Sequence, residues 1–203
     1  MRAGVTAGRR TLALLLLAGA CGAALAQDAG EAIARLRVMG IEPSPERLVQ
    51  FAAQGDLTLV KLLLQAGIKV DARDALRQTS ALHNAAAQGH LRLVTLLVER
   101  GARVDQPDWR GNTALVNAAF FGHLEVARFL VSKGANVHLF TLEGQSPLSA
   151  AVYGGNAALV EYLMAQGADA RLAAPDGKSA LDIAERGKRD AIVQSIRQHV
   201  KEK

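Results

Sequence analysis

The residue types in this 203-residue chain that could perform chemistry are few and scattered. Its five histidines, the side chains best suited to metal binding or proton transfer near neutral pH, are His83, His90, His123, His138 and His199. A protein metal site needs several His, Cys or carboxylate ligands at close spacing. No such cluster occurs in the sequence, which therefore predicts no metal site.

Motifs for covalent or cofactor chemistry are also missing. The sequence contains no G-x-S-x-G elbow, H-E-x-x-H helix, P-loop or dinucleotide fingerprint. The Gly154-Gly155 pair is read as a turn, and Glu99, Glu125 and Glu161 fall at positions typical of a solvated helix face. We predict a non-enzymatic protein with no catalytic residues and no cofactor.

The N-terminal segment 1–26 has the pattern of a secretory signal peptide of the bacterial periplasmic type. Arg2, Arg9 and Arg10 precede an apolar run at 12–20, and small residues follow as far as Ala26. Removal of 1–26 would change the net charge from +5 to +2, since it takes three arginines and no acidic residue. A domain of charge +2 lacks the basic surface of a nucleic-acid binder. The sequence predicts a periplasmic or secreted protein that binds no nucleic acid.

The N-terminal segment could attach the protein to a membrane in two ways, by a transmembrane helix or by a lipid anchor. The apolar run of nine residues is shorter than the roughly 20 that a transmembrane helix needs, so no transmembrane segment is expected. The residues before Cys21 distantly resemble a lipoprotein cleavage box, although Ala18 stands where a larger aliphatic residue is usual. Lipid anchoring at Cys21 therefore stays open beside cleavage after Ala26, which would leave a mature chain without any thiol.

Two series of glycines show that the rest of the chain is a tandem repeat. One series is Gly55, Gly89, Gly122 and Gly155, and the other is Gly67, Gly101, Gly134 and Gly167; the successive spacings in both are 34, 33 and 33. In every unit after the first, a Ser or Thr stands where a helix would begin and a side-chain oxygen could cap it. Apolar residues then recur at helical spacing, and glycine ends the unit's second helix. Each unit is predicted to be a pair of helices.

The residues of these units resemble ankyrin repeats. Residues 80–90, SALHNAAAQGH, are similar to the family's T-P-L-H-x-A-A-x-x-G-H stretch, and 94–102 to its V-x-x-L-L-x-x-G-A stretch. The resemblance covers about 41–203 and implies an all-α ankyrin-repeat solenoid of about five helix-turn-helix repeats with short extended loops. The repeats are predicted at about 41–73, 74–107, 108–140, 141–173 and 174–203, with a capping helix at 27–40. The sequence departs from the pattern at the start of the first unit, which lacks Thr-Pro, and at Lys188, where the other units have Gly.

The resemblance implies a protein-binding module or scaffold that holds another protein on the concave side of the stack. It also implies structural hydrogen bonds for the histidine at position 83. Exposed aromatic clusters mark interaction sites, and five aromatic residues fall where the family is variable and solvent-facing. Together with neighbouring residues they give the predicted binding set Trp109, Arg110, Asn112, Phe120, Phe121, Phe140, Leu142 and Tyr153. An alternative use of the same surface is that of an inhibitor or immunity protein of a periplasmic or secreted enzyme.

Overall fold

The computed structural model describes residues 27–175 and 177–201, in which the secondary structure is helical apart from one isolated bridge between Arg73 and Ser80. The predicted signal peptide lies outside the described residues. Helix α1 covers 27–38. It is followed by α2 (Pro45–Gln54), α3 (Leu57–Gln65), α4 (Ala81–Ala87), α5 (Leu91–Glu99), α6 (Ala114–Phe121), α7 (Leu124–Ser132), α8 (Pro147–Gly154), α9 (Ala157–Ala165), α10 (Ala180–Arg186) and α11 (Asp190–Lys201).

Helices α2 to α11 form five antiparallel pairs that stack in two rows. The first helices of the pairs, α2, α4, α6, α8 and α10, each contact the next and are called the inner row. The second helices, α3, α5, α7, α9 and α11, form the outer row. The all-α solenoid predicted from the sequence is confirmed. Within the described ranges no helix is long and apolar enough to cross a membrane.

Small side chains on the inner row let neighbouring units approach closely. Ala85, Ala86, Ala118, Ala119 and Ala151 are all completely buried. The larger apolar side chains lie between the two rows, where those with no more than 2% exposure include Leu48, Leu63, Leu82, Leu93, Leu97, Leu115, Leu130, Leu148, Leu159 and Leu163. At the front of the stack Ala32 and Leu36 of α1 join the same core. One continuous apolar core therefore runs through all five pairs.

Hydroxyl side chains begin the inner helices, as the sequence predicts. Thr113 accepts a hydrogen bond from the Val116 amide, and Ser179 accepts one from the Asp182 amide. In the first unit the cap lies two residues earlier than the repeat spacing predicts, because Ser44 caps α2 and Pro45 occupies its first turn. The first unit thus has its own Ser-Pro start, and its inner helix is longer than the others.

In the second, third and fourth units a polar side chain lies against the glycine that follows the preceding inner helix. His90 Nε2 bonds the Ala53 carbonyl at 3.2 Å, His123 Nε2 bonds the Ala87 carbonyl at 2.9 Å, and Asn156 Nδ2 donates to the Ala119 carbonyl at 3.1 Å. A Cβ atom on Gly89 would lie 2.5 Å from the His123 ring. The glycine series therefore leaves room for a link between units, in addition to its positive φ.

The fifth unit makes its inter-helix turn without glycine at the repeat position. Lys188 has a φ of 51°, whereas Gly187 just before it has a φ of −77°. The link to the preceding unit is preserved, since Arg189 donates from Nη2 to the Tyr153 carbonyl at 2.6 Å. The departure at Lys188 alters which residue bears the left-handed conformation but does not remove the turn.

His83 joins two neighbouring units and is 1% exposed. Its Nδ1 lies 3.2 Å from the Ser80 amide nitrogen, and its Nε2 lies 3.0 Å from the Asn112 carbonyl oxygen. An amide can only donate and a carbonyl can only accept, so the ring must be neutral with its proton on Nε2. Burial lowers the pKa of His83 below its ordinary value of 6.5. The effect of burial is larger than the opposing effects of the Asp108 charge and of the hydrogen bonds to the Asn112 and Gln106 backbone.

We expect His83 to make the protein less stable as the pH falls below about 6.5. A histidine whose pKa is lowered by folding binds more protons in the unfolded chain, so the free energy of unfolding decreases with falling pH. In His83→Val, which copies Val116 of the next unit, this contribution should vanish, and stability at pH 8 should fall by about 1–3 kcal/mol as two polar groups lose their partner. Urea denaturation between pH 5 and 8 measures both effects, with the exposed His138→Gln as control. An unchanged pH slope in His83→Val would contradict the assignment.

Gly154 is the last residue of α8, not part of the turn expected from the sequence. A Cβ atom at this position would lie 2.1 Å from the Phe120 carbonyl oxygen and 2.4 Å from Asn156 Nδ2. The absence of a side chain thus allows the end of α8 to approach the backbone of α6.

Gly154→Ala should destabilise the protein by about 1–3 kcal/mol, because the added methyl group overlaps backbone that cannot move without separating two units. Gly30→Ala in α1 is the matched control, since nothing lies within 4 Å of the place that its methyl group would take. The control should be as stable as the wild type or slightly more so. Chemical denaturation compares the two, and equal stability of both variants would refute the close approach.

Candidate functional site

Three of the five histidines make hydrogen bonds between neighbouring units. His83, His90 and His123 bond backbone atoms of neighbouring units, and His138 is exposed. The Nε2 atom of His199 is buried and has no hydrogen-bond partner in the part of the chain that the structure describes. The same part holds no group of three His, Cys, Asp or Glu residues that could bind a metal ion.

The loop tips between units carry a row of exposed apolar side chains. Leu76, Trp109 and Leu142 occupy the same place in three successive units and are 93%, 55% and 81% exposed. Backbone hydrogen bonds join these tips: the Trp109 amide donates to the Arg77 carbonyl at 3.3 Å, and the Leu142 amide donates to the Arg110 carbonyl at 2.9 Å. The next tip has Pro175 at the equivalent position, which has no N–H to donate. The bonded row therefore ends at Leu142.

Side-chain oxygens inside each loop fix the position of the tips. Asp108 accepts hydrogen bonds from the Arg110 and Asn112 amides, both at 2.8 Å, and Asp74 does the same for the Leu76, Arg77 and Thr79 amides. Burial raises the pKa of Asp74, but these bonds and one from the Thr79 hydroxyl outweigh it and hold the pKa below its ordinary value. The apolar tips are thus presented by pre-ordered loops.

Arg110 connects two tips and covers part of Trp109. Its guanidinium carbon lies 5.4 Å from the centre of the Trp109 ring, a distance at which a cation and an aromatic face attract. The same side chain is paired with Glu143 of the next tip, to which its Nε donates at 2.9 Å. Because both partners are about half exposed, this pair orients the tips more than it stabilises the fold.

A second group of exposed rings lies at the ends of two inner helices. Phe120 and Phe121 end α6, and Tyr153 lies near the end of α8; they are 43%, 55% and 40% exposed. Phe120 and Phe121 contact each other edge to face, with ring centres 5.1 Å apart. Tyr153 occupies the position of Phe120 in the following unit, so these rings lie at the same end of α6 and α8.

The structure therefore divides the predicted binding residues into two groups at opposite ends of α6. Trp109 and Arg110 belong to the tip before α6 and Leu142 to the tip before α8, whereas Phe120, Phe121 and Tyr153 lie at the far ends of these inner helices. Helix α6 has eight residues, which corresponds to a length of about 12 Å. The role of both groups in binding stays a prediction.

Two of the predicted binding residues, Asn112 and Phe140, are half-buried, whereas the other six are exposed. Asn112 is half-buried, since its carbonyl meets His83 and its side chain donates to Asp108 at 3.1 Å. Phe140 is half-buried as well. Leu76, which sequence reasoning missed, is the most exposed large apolar residue of the tips. Leu76 lies 33 residues before Trp109, and this spacing could have identified it. The loop before Ser80 has one extra residue, so Leu76 is out of register with the glycines of the preceding unit.

Comparison with known families gives two matches, both to ankyrin repeats. One, described as ankyrin repeats in three copies, matches residues 48–141, and the other, described as ankyrin repeats in many copies, matches residues 130–184. A comparison with curated proteins found no significant match. Ankyrin repeats generally mediate contacts between proteins, and members of the family are typically interaction modules without enzymatic activity. With matches that together extend over most of the stacked helix pairs, this chain belongs to the ankyrin-repeat family.

Proposed function

We propose that this protein is a non-enzymatic binding module or scaffold that acts in an exported compartment and holds another protein through its inner row and loop tips. The observation that supports this most is the set of large apolar side chains left exposed on that side: Leu76, Trp109, Phe120, Phe121, Leu142 and Tyr153. Trp and other aromatic side chains contribute much of the energy of protein interfaces when a partner removes them from water.

The exposed rings are not needed to complete the core. Trp109 and Phe121 are each more than half exposed, whereas the leucines between the rows are fully buried. Their truncation should therefore cost the fold little and a partner interface much. The polar rim that such an interface requires is supplied by Arg110 and Glu143, which lie beside Trp109 and are about half exposed.

Trp109→Ala combined with Phe121→Ala should reduce partner capture at least about tenfold, because each truncation of an interface hot spot costs roughly 2 kcal/mol or more. The assay is affinity purification from the exported fraction of cells, with quantification of each captured protein. Leu91→Ala, at a 38% exposed apolar residue of the outer row, is the matched control. Phe140 is left unchanged because its partial burial would mix folding with binding.

Melting temperatures decide how that result is interpreted. We expect the double variant to melt within a few degrees of the wild type, as surface substitutions usually do. A large decrease in melting temperature would assign the two rings a structural role instead. Retained capture by a well-folded double variant would place the binding surface elsewhere.

Export is proposed from the N-terminal pattern alone. When the full chain is produced in a bacterial host, mass spectrometry of the exported protein should find a mature form that begins at Gln27. Ala24→Lys together with Ala26→Lys should block this cleavage, because the peptidase site requires small residues. A lipid-modified N-terminus at Cys21 would instead establish the anchored form. A full-length protein confined to the cytosol would contradict the proposed location.

A further inference from the structure

The inner helices of the three central units contain no charged residue. The sequences of α4, α6 and α8 (ALHNAAA, ALVNAAFF and PLSAAVYG) have no Asp, Glu, Lys or Arg. On both sides the neighbouring inner helices are charged, since α2 contains Glu46 and Arg47 and α10 contains Glu185 and Arg186. We call the solvent-facing side chains of these three helices, together with Gln88 directly after α4, the charge-free stripe: Asn84, Gln88, Asn117, Phe120, Phe121 and Tyr153.

The absence of charge is specific to this face of the molecule. The outer helices of the same three units each carry charged residues, including Arg92 on α5, Glu125 and Arg128 on α7, and Glu161 on α9. The one ionisable group on the stripe's helices besides Tyr153 is His83, which is buried and bonded on both ring nitrogens. Arg189 brings one guanidinium to the α8 side of the stripe, where it bonds the Tyr153 carbonyl. A charged partner group placed against α4 or α6 would lose water and find no opposite charge on these helices, which is strongly unfavourable.

Amide side chains give the stripe a hydrogen-bonding capacity. Asn117 and Gln88 make no side-chain hydrogen bond to any residue that the structure describes, and Gln88 is exposed at the end of α4. Asn84, one unit before Asn117, makes a long bond of 3.4 Å to the Val49 carbonyl. An amide can donate and accept at once, which suits a polypeptide backbone whose own N–H and C=O groups are unpaired. A helical partner satisfies these groups internally and would reach the amides only through its side chains.

On the basis of the proposed protein-binding function, we propose that the charge-free stripe binds an extended, uncharged segment of the partner protein. Packed helices lie about 8–10 Å apart, so three of them span about 20 Å, which an extended segment of about six residues covers. Its backbone meets Gln88 and Asn117, and its apolar side chains lie against Phe120, Phe121 and Tyr153. Beyond the stripe, Glu46 and Arg47 lie at the start of α2 on one side, and Glu185 and Arg186 lie at the end of α10 on the other.

Selection from a random peptide library tests this proposal. The full mature protein is incubated with displayed peptides of about eight randomised residues, and the selected sequences are read by sequencing. We expect Asp, Glu, Lys and Arg to be depleted at least about tenfold at the central positions, because burial of an unpaired charge is costly. Asn117→Lys should instead select acidic peptides, and Asn117→Asp should select basic ones.

Matched variants separate a change of surface from a change of fold. Gln166→Lys, an exposed amide at the end of the outer helix α9, should select the same peptides as the wild type. Gln88→Lys and Gln88→Glu repeat the charge reversal at an exposed position, in case either Asn117 variant melts at a lower temperature. Charged residues as frequent in the selected peptides as in the library, or a preference that does not follow the charge at these two positions, would overturn the proposal.

The outcome also distinguishes this proposal from the binding function on which it rests. If the Trp109 and Phe121 substitutions abolish capture of the partner while the library yields no peptide, the protein binds a folded surface and the extended-segment proposal is wrong. If the library yields no peptide and no partner depends on these rings, the proposed binding function fails together with it.

Discussion

Each pair of short helices in this chain has an apolar face too large to be exposed and too small to enclose a core alone. The pair becomes stable only when its face is covered by the neighbouring pairs. This requirement explains the completely buried alanines of the inner row, such as Ala86 and Ala119, and the glycine at position 154, where a methyl group would overlap the preceding unit. Polar side chains that cross between units, from His83 to Arg189, serve the same stacking.

Stacking also determines which positions can vary and are available for contact with a partner. Buried positions are repeated from unit to unit because every unit meets the same neighbours, whereas the loop tips and the solvent-facing positions of the inner row are under no such constraint. It is there that Trp109, Phe121 and Tyr153 occur, where packing does not need them. The same lack of constraint allows three successive inner helices to contain no charged residue. Their solvent-facing side is therefore apolar and amide-bearing, unlike the charged outer row.

Position 83 and its equivalents show how the fold tolerates variation at one place in the repeat. The same place in four successive units is taken by His83, Val116, Ser149 and Asp182. Ser149 and Asp182 accept the amide of the capping residue, as the His83 ring does. Among these side chains His83 is also long enough to reach the Asn112 carbonyl of the next loop. Because Nδ1 accepts the Ser80 amide while Nε2 donates to this carbonyl, the ring must be neutral, which adds a sensitivity to pH.

The sequence by itself determined the helix pairs, their period and their core, because stacking of equivalent units imposes the same residue types once in every repeat and makes them readable in one chain. It also identified the exposed rings as departures from that pattern. Only the tertiary structure showed that backbone hydrogen bonds join the tips of successive units, that Asn112 is bonded to His83 and to Asp108, and that Leu76 belongs to the tip row. These features depend on contacts between loops of different units, and such contacts are set by the three-dimensional approach of the units, which local periodicity does not encode.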